Sequence, residues 1–139
     1  MPGMAHRYEV PRPKPGDPGV IVTCPLNNKE MLDAKVENVG EAFWNVPRAP
    51  KNFEPGDLLY VVYDGAIRYA FETGSFDIAR AHELPPVEDA EGHNPPLPKG
   101  GIRAWLDDVH ELKPPIPMKG FQGFRYFDPS LMKHRKRST

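Results

Sequence analysis

The chain has a single cysteine, Cys24, among 139 residues. One thiol excludes an intramolecular disulfide and cannot supply the thiolate set of a structural zinc site; a reducing compartment is its natural setting. No apolar run approaches the roughly 20 residues that a membrane-spanning helix needs, and the first residues lack the apolar stretch of a secretory signal. The expectation is a soluble, intracellular, cytoplasmic protein without membrane contact. The five histidines, His6, His82, His93, His110 and His134, form no i,i+4 pair and have no cysteine companion, so no metal is expected. A phosphate-cradling glycine motif is missing as well, since Gly120-x-x-Gly123 is too short and has no strand-to-helix setting; no cofactor is expected. An excess of charge of one sign is also lacking. The formal net charge of −1 argues against wholesale attraction to nucleic acid but leaves room for a local basic groove.

Proline is what the chain has in plenty. The 18 prolines cluster at 2–18, 85–98 and 114–117 and spare the apolar segments, which marks loops and tails around a folded body rather than disorder throughout. A chain of this length forms one domain by the usual prior. Its organising stretch is Phe53 to Phe71. Glu54-Pro55-Gly56-Asp57 reads as a turn, with Pro55 presetting φ and Gly56 free to take a positive one. Leu58 to Val62 follow, too short a run and too rich in β-branched and aromatic residues for a helix. Asp64-Gly65 between apolar flanks is the strongest local hairpin signal. Two antiparallel strands are therefore expected, about 58–63 and 66–74. The first is apolar at nearly every position, which predicts burial on both faces in a central strand.

Around this hairpin the rest is placed in order. Residues 1–18 predict a mobile or surface-draped arm. Gly19 to Thr23 reads as a first strand, ended by Pro25. Asn27 or Asn28 can cap a helix carrying Glu30 in its first turn and a weak apolar stripe of Met31, Leu32 and Lys35-Val36, with Gly40 as its stop. Phe76 to Leu84 reads as a single helical turn or a loop. Residues 85–101, nearly devoid of apolar side chains, predict a mobile insertion. Gly101 to Leu112 alternates and reads as a strand, after which Pro114 to Pro117 turn the chain. Met118 to Phe127 is dense in aromatics and holds a short final strand around Phe124–Phe127. A brief helix begins at Asp128-Pro129-Ser130, and Lys133 to Arg137 opens a basic tail, 133–139. The domain is thus 19–132, of α+β class: a mixed sheet of about five or six strands, strongly curved or closed, with short helices packed outside.

An ordered set of these residues resembles a known family. A strand ending in Val22-Thr23 precedes an Asn-started helix. Then come an aromatic followed by Trp44-x-Val46-Pro47, a Lys51-containing loop, Phe53-x-Pro55-Gly56-Asp57, a hairpin, a strand opened by Arg103 and an aromatic, Gly-containing segment. Over roughly residues 19–130 this resembles the EVE domain, of the PUA-like group that includes YTH and ASCH domains. The resemblance implies a PUA-like pseudo-barrel that reads a modified base in DNA or RNA. It places Trp44 as one wall of an aromatic pocket, with Asn27 or Asn28 lining it and Phe121, Trp105 or Tyr126 as the second aromatic. The long insertion departs from the compact family pattern.

The residues themselves admit both a binding and a structural reading. Successive side chains on a strand face opposite ways, so Phe43 in the core leaves Trp44 and its indole towards a cleft where a base can stack. Asn45 stands beside it. In Lys119 to Tyr126, Gln122 can bond a base edge and Arg125 can grip a phosphate, or the aromatics simply plug the interior, as expected for Phe124 and Phe127. Lys51, Arg103 and Lys119 complete the candidate phosphate contacts, with Arg48 beside them. The function expected is a non-catalytic nucleic-acid-binding module whose partner is DNA or RNA with a modified or unpaired base. The alternative is an ASCH-like hydrolase of a nucleoside or RNA using Asp107/Asp108 with Lys119, the only acidic cluster in a strand-like context.

Overall fold

The structure, a computed structural model, describes residues 12–86 and 96–134. Six strands form one sheet: β1 Gly19–Thr23, β2 Ala42–Val46, β3 Leu58–Tyr63, β4 Ala66–Ile78, β5 Ile102–Pro117 and β6 Arg125–Tyr126, in the order β2-β5-β4-β3-β1-β6. The sheet is mixed, because β1 runs parallel to β3 while the other neighbours are antiparallel. It curls into a half-barrel, with one short α-helix among the described residues, α1 Lys29–Glu37. Among the described residues, two 3-10 segments, Leu26–Asn28 and Pro129–His134, complete the regular structure.

The central hairpin follows its sequence. Asp64 and Gly65 both take positive φ, 49° and 78°, as a two-residue turn matched to the strand twist requires. Arg68 closes it, donating through Nε to the Tyr63 carbonyl and through Nη2 to that of Asp64. Every residue of β3 from Leu58 to Val62 is buried. Leu59 and Val61 enter one cluster with Val20, Val22, Leu32, Phe71 and Leu106. Leu58, Tyr60 and Val62 enter the opposite one with Ile21, Ile67, Ile116 and Phe127. Burial on both faces is what an uninterrupted apolar strand buys.

Four expectations give way. β4 runs on to Ile78, past the 74 expected, which takes the start of the 76–84 stretch into the sheet; of the two alternatives expected there, residues 79–84 take the loop. Pro114 to Pro117 do not turn the chain. They continue β5, with Ile116 opposite Ile67 and Pro117 opposite Ala66, and the register slips between Ile67 and Tyr69 to accommodate them. The missing proline donors are tolerated because the ladder is already broken there. The 85–101 segment is not wholly an unpacked insertion. Leu97 is fully buried and pairs with Leu84 through two backbone hydrogen bonds, Leu84 N–H to the Leu97 carbonyl and the reverse; residues 87–95 lie outside the described part. Finally, Asn28 stands at the N-cap of α1 without a side-chain capping bond, and α1 ends at Glu37, before Gly40, whose φ is +97°.

Of the N-terminal arm, residues 12–18 drape over the sheet, and 1–11 lie outside the described part. Gly16 N–H donates to Tyr60 Oη, and that hydroxyl donates to the Asp17 carbonyl. Arg12 reaches Glu72 at 2.9 Å and also bonds Asp108. Lys133 is exposed, while 135–139 of the basic tail are outside the described part.

Candidate nucleobase cleft

Because the half-barrel does not close, β2 and the β1–β6 pair stand as its two edges. A cleft of about 530 Å³ lies between them, lined by Val22, Thr23 and Pro25 at the end of β1, residues 44–48 of β2 and its exit, and residues 121–124 before β6. Trp44 reaches it because β2 turns successive side chains to opposite faces. Phe43 is 2 % exposed on one face, with Trp105 edge-on at 5.1 Å, while the half-buried Trp44 packs on the other against the Leu59–Val61 cluster and opens to the cleft.

The opposite wall is held in place by short-range contacts. Phe121 N–H donates to Thr23 Oγ1 at 3.1 Å. A Cβ on Gly120 would come within 3.0 Å of the Thr23 methyl, so glycine there lets the 118–124 segment lie close to β1. Tyr126 does not line the cleft. Its hydroxyl accepts the Lys51 N–H at 2.8 Å and so ties the segment after β2 to β6 across the opening.

Of the residues the sequence singled out, Trp44, Asn45, Phe121 and Gln122 come together here, with Arg48. Asn27 and Asn28 do not; Asn27 is exposed away from the lining, and Asn28 turns its carbonyl to the Cys24 thiol at 3.5 Å. Lys51 and Lys119 are exposed outside the lining. Arg103 is 1 % exposed, bonded through Nε to Asn45 Oδ1 at 3.1 Å and through Nη2 to the Pro85 carbonyl, with its guanidinium 5.0 Å from the Phe43 ring centre. So placed it is a buried internal brace on the side of β2 away from Trp44, outside the cleft lining. Arg125 is exposed and stacked on Phe121, 4.3 Å from the ring centre. Trp105 belongs to the Phe43 side and donates its indole N–H to Asp77, which removes it as a second wall.

Phe124, at the cleft, was read otherwise in the sequence, and Lys35, behind it, was read there only as part of the helix stripe. Phe124 is half-buried and lines the cleft instead of plugging the interior. Counting in steps of two from buried Phe127 would have put it on the other face, with Tyr126, whose ring it meets edge-on at 5.7 Å. Lys35 is 4 % exposed, bonded to the Phe43 carbonyl, with its ammonium 5.5 Å from the Trp44 ring centre. Its place three and four residues after Leu32 and Met31 marks it as part of the inward stripe of α1, where its methylene stem packs. Near it, burial pushes the Cys24 thiol up to about 11, only partly countered by the Lys35 charge, so the thiol is protonated and unreactive at neutral pH.

Asp107 and Asp108 are not in the cleft lining. The Val109 N–H and Arg12 hold the Asp108 carboxyl below its ordinary range, the reverse of what a general acid requires. Among the described residues no group of three His, Cys, Asp or Glu side chains could hold a metal ion, and no helix is long and apolar enough to cross a membrane. Comparison with protein-family models, with curated proteins and with solved structures finds no match.

Proposed function

We propose that the chain is a nucleic-acid-binding module of PUA-like, EVE-type architecture that takes one unpaired or flipped, modified base of DNA or RNA into the cleft beside Trp44. The observation that carries the reading is the half-buried indole opening into a cleft of about 530 Å³ whose other wall holds Phe121 and Phe124. A base stacks on such rings for about 1–3 kcal/mol. Extruding it costs a few kcal/mol, least for a modified or unpaired base. Gln122, in the lining, offers both a donor and an acceptor to a base edge. Arg48 and Arg125, both exposed on cleft-wall rings, are placed to meet flanking phosphates. The curled mixed sheet with α1 following β1 supports the architecture. Binding is the whole activity in this reading.

The two tryptophans give a direct test, since they lie on opposite faces of the sheet. In Trp105→Phe the remaining indole, Trp44, is expected to lose fluorescence as single-stranded oligonucleotides carrying modified bases are titrated in. In Trp44→Phe the remaining indole should not respond. A response from Trp105 alone, or from neither, would sink the assignment.

A further inference from the structure

We infer that the cleft selects a neutral base and rejects cationic ones, although its aromatic walls superficially resemble a cage for a positive charge. The inference rests on the base-reading proposal and adds the charge of the ligand. Each of the three aromatic rings that line the cleft already carries a cation of the protein. The Lys35 ammonium lies 5.5 Å from the centre of the Trp44 ring, the Arg125 guanidinium 4.3 Å from that of Phe121, and the Arg48 guanidinium 5.7 Å from that of Phe124. None of the lining residues is an aspartate or glutamate.

An aromatic cage holds a quaternary ammonium or a methylated lysine because the negative ring faces point at it. A cation already seated on a ring draws its π density away and leaves the free face less attractive to a second positive charge. That second charge would also face like charges in a partly desolvated site, where screening is weak. A neutral, electron-rich base meets the opposite situation. It stacks on rings depleted of density, and the phosphates beside it find two guanidiniums held in fixed positions by the rings under them. Lys35 sits outside the lining and almost wholly buried. It acts on the ligand through Trp44 rather than by contact.

The test uses isomers that differ by one charge. Single-stranded oligonucleotides carrying one N6-methyladenine or one N1-methyladenine, and one 5-methylcytosine or one 3-methylcytosine, are titrated with the full chain by fluorescence anisotropy at neutral pH. The neutral member of at least one pair is expected to bind at least about tenfold more tightly than its cationic isomer. The Arg48→Gln/Arg125→Gln double variant is expected to narrow that ratio several-fold, because both positions are exposed and their charge, not the fold, is removed. Equal or tighter binding of the cationic isomers overturns the inference and leaves the base-reading proposal standing. A ratio unmoved in the double variant also overturns it, since the discrimination would then come from the altered hydrogen-bonding edge. No binding of any of the four removes the base-reading proposal itself, and the inference with it.

Discussion

Phe43 and Trp44 are neighbours with opposite fates, and the pleat of β2 is the reason. Only the indole meets the cleft, so truncating it should remove the stacking surface. Trp44→Ala is expected to weaken oligonucleotide binding by about 1–3 kcal/mol, roughly five- to 150-fold, in an anisotropy titration, with the circular dichroism of the sheet retained. Cys24 offers a second prediction at this scale. Burial pushes its thiol up from the ordinary 9.0 to about 11, so the native state keeps a proton that the unfolded state releases. The fold is therefore unaffected by this group below pH 9 and loses stability as pH rises from about 9 to 11. Urea melts of the wild type and of Cys24→Ala should differ by an amount that is constant below pH 9 and shrinks above it. The pleat argument made Trp44 readable from the sequence alone. Arg103 was not readable, because a cation on a strand looks the same whether it meets solvent or, as here, Asn45, the Pro85 carbonyl and a phenyl face.

Turns were legible at the scale of elements, and strand ends were not. The Asp64-Gly65 hairpin and the 54–57 turn carry local chemistry that needs no distant partner. In the latter, Asp57 N–H returns to the Glu54 carbonyl and Asp57 Oδ2 accepts the Glu54 N–H. The Pro114–Pro117 run carried a local signal too, but pairing with Ala66 and Ile67 overrode it. Leu97 was hidden for a related reason, since one apolar residue among prolines announces no partner until Leu84 is brought beside it. Leu97→Ala should cost about 2–4 kcal/mol in a chemical denaturation experiment, as a fully buried leucine does; a change below 0.5 kcal/mol would show that the segment is not docked. Gly19 tests the parallel β1–β3 pairing. A Cβ there would overlap the Leu58 carbonyl, so Gly19→Ala is expected to cost upwards of about 3 kcal/mol.

For the whole molecule, the class of fold followed from the order of elements, whereas the sheet order did not. Nothing local says that β1 lies parallel to β3, or that β2 pairs with β5, far along the chain from it. The cleft exists only because of that order, which leaves two edges apart. A net charge of −1 means that attraction to a polyanion comes from few local contacts. With Arg48 and Arg125 meeting about two phosphates of a single strand, log K against log salt should fall with a slope of about −1 to −2. A slope steeper than about −4 between 50 and 200 mM salt would point to a broad basic surface instead.

The meeting of β1 with β6 has one more consequence. Phe127 N–H donates to the Gly19 carbonyl at 2.9 Å, so the chain enters and leaves the sheet at one corner. Dyes attached at Pro18 and Asp128, each replaced by cysteine in a Cys24→Ala background, would sit within efficient energy-transfer range while the sheet is whole and lose that transfer when it opens. Any cargo fused at those two points would hang from the same spot.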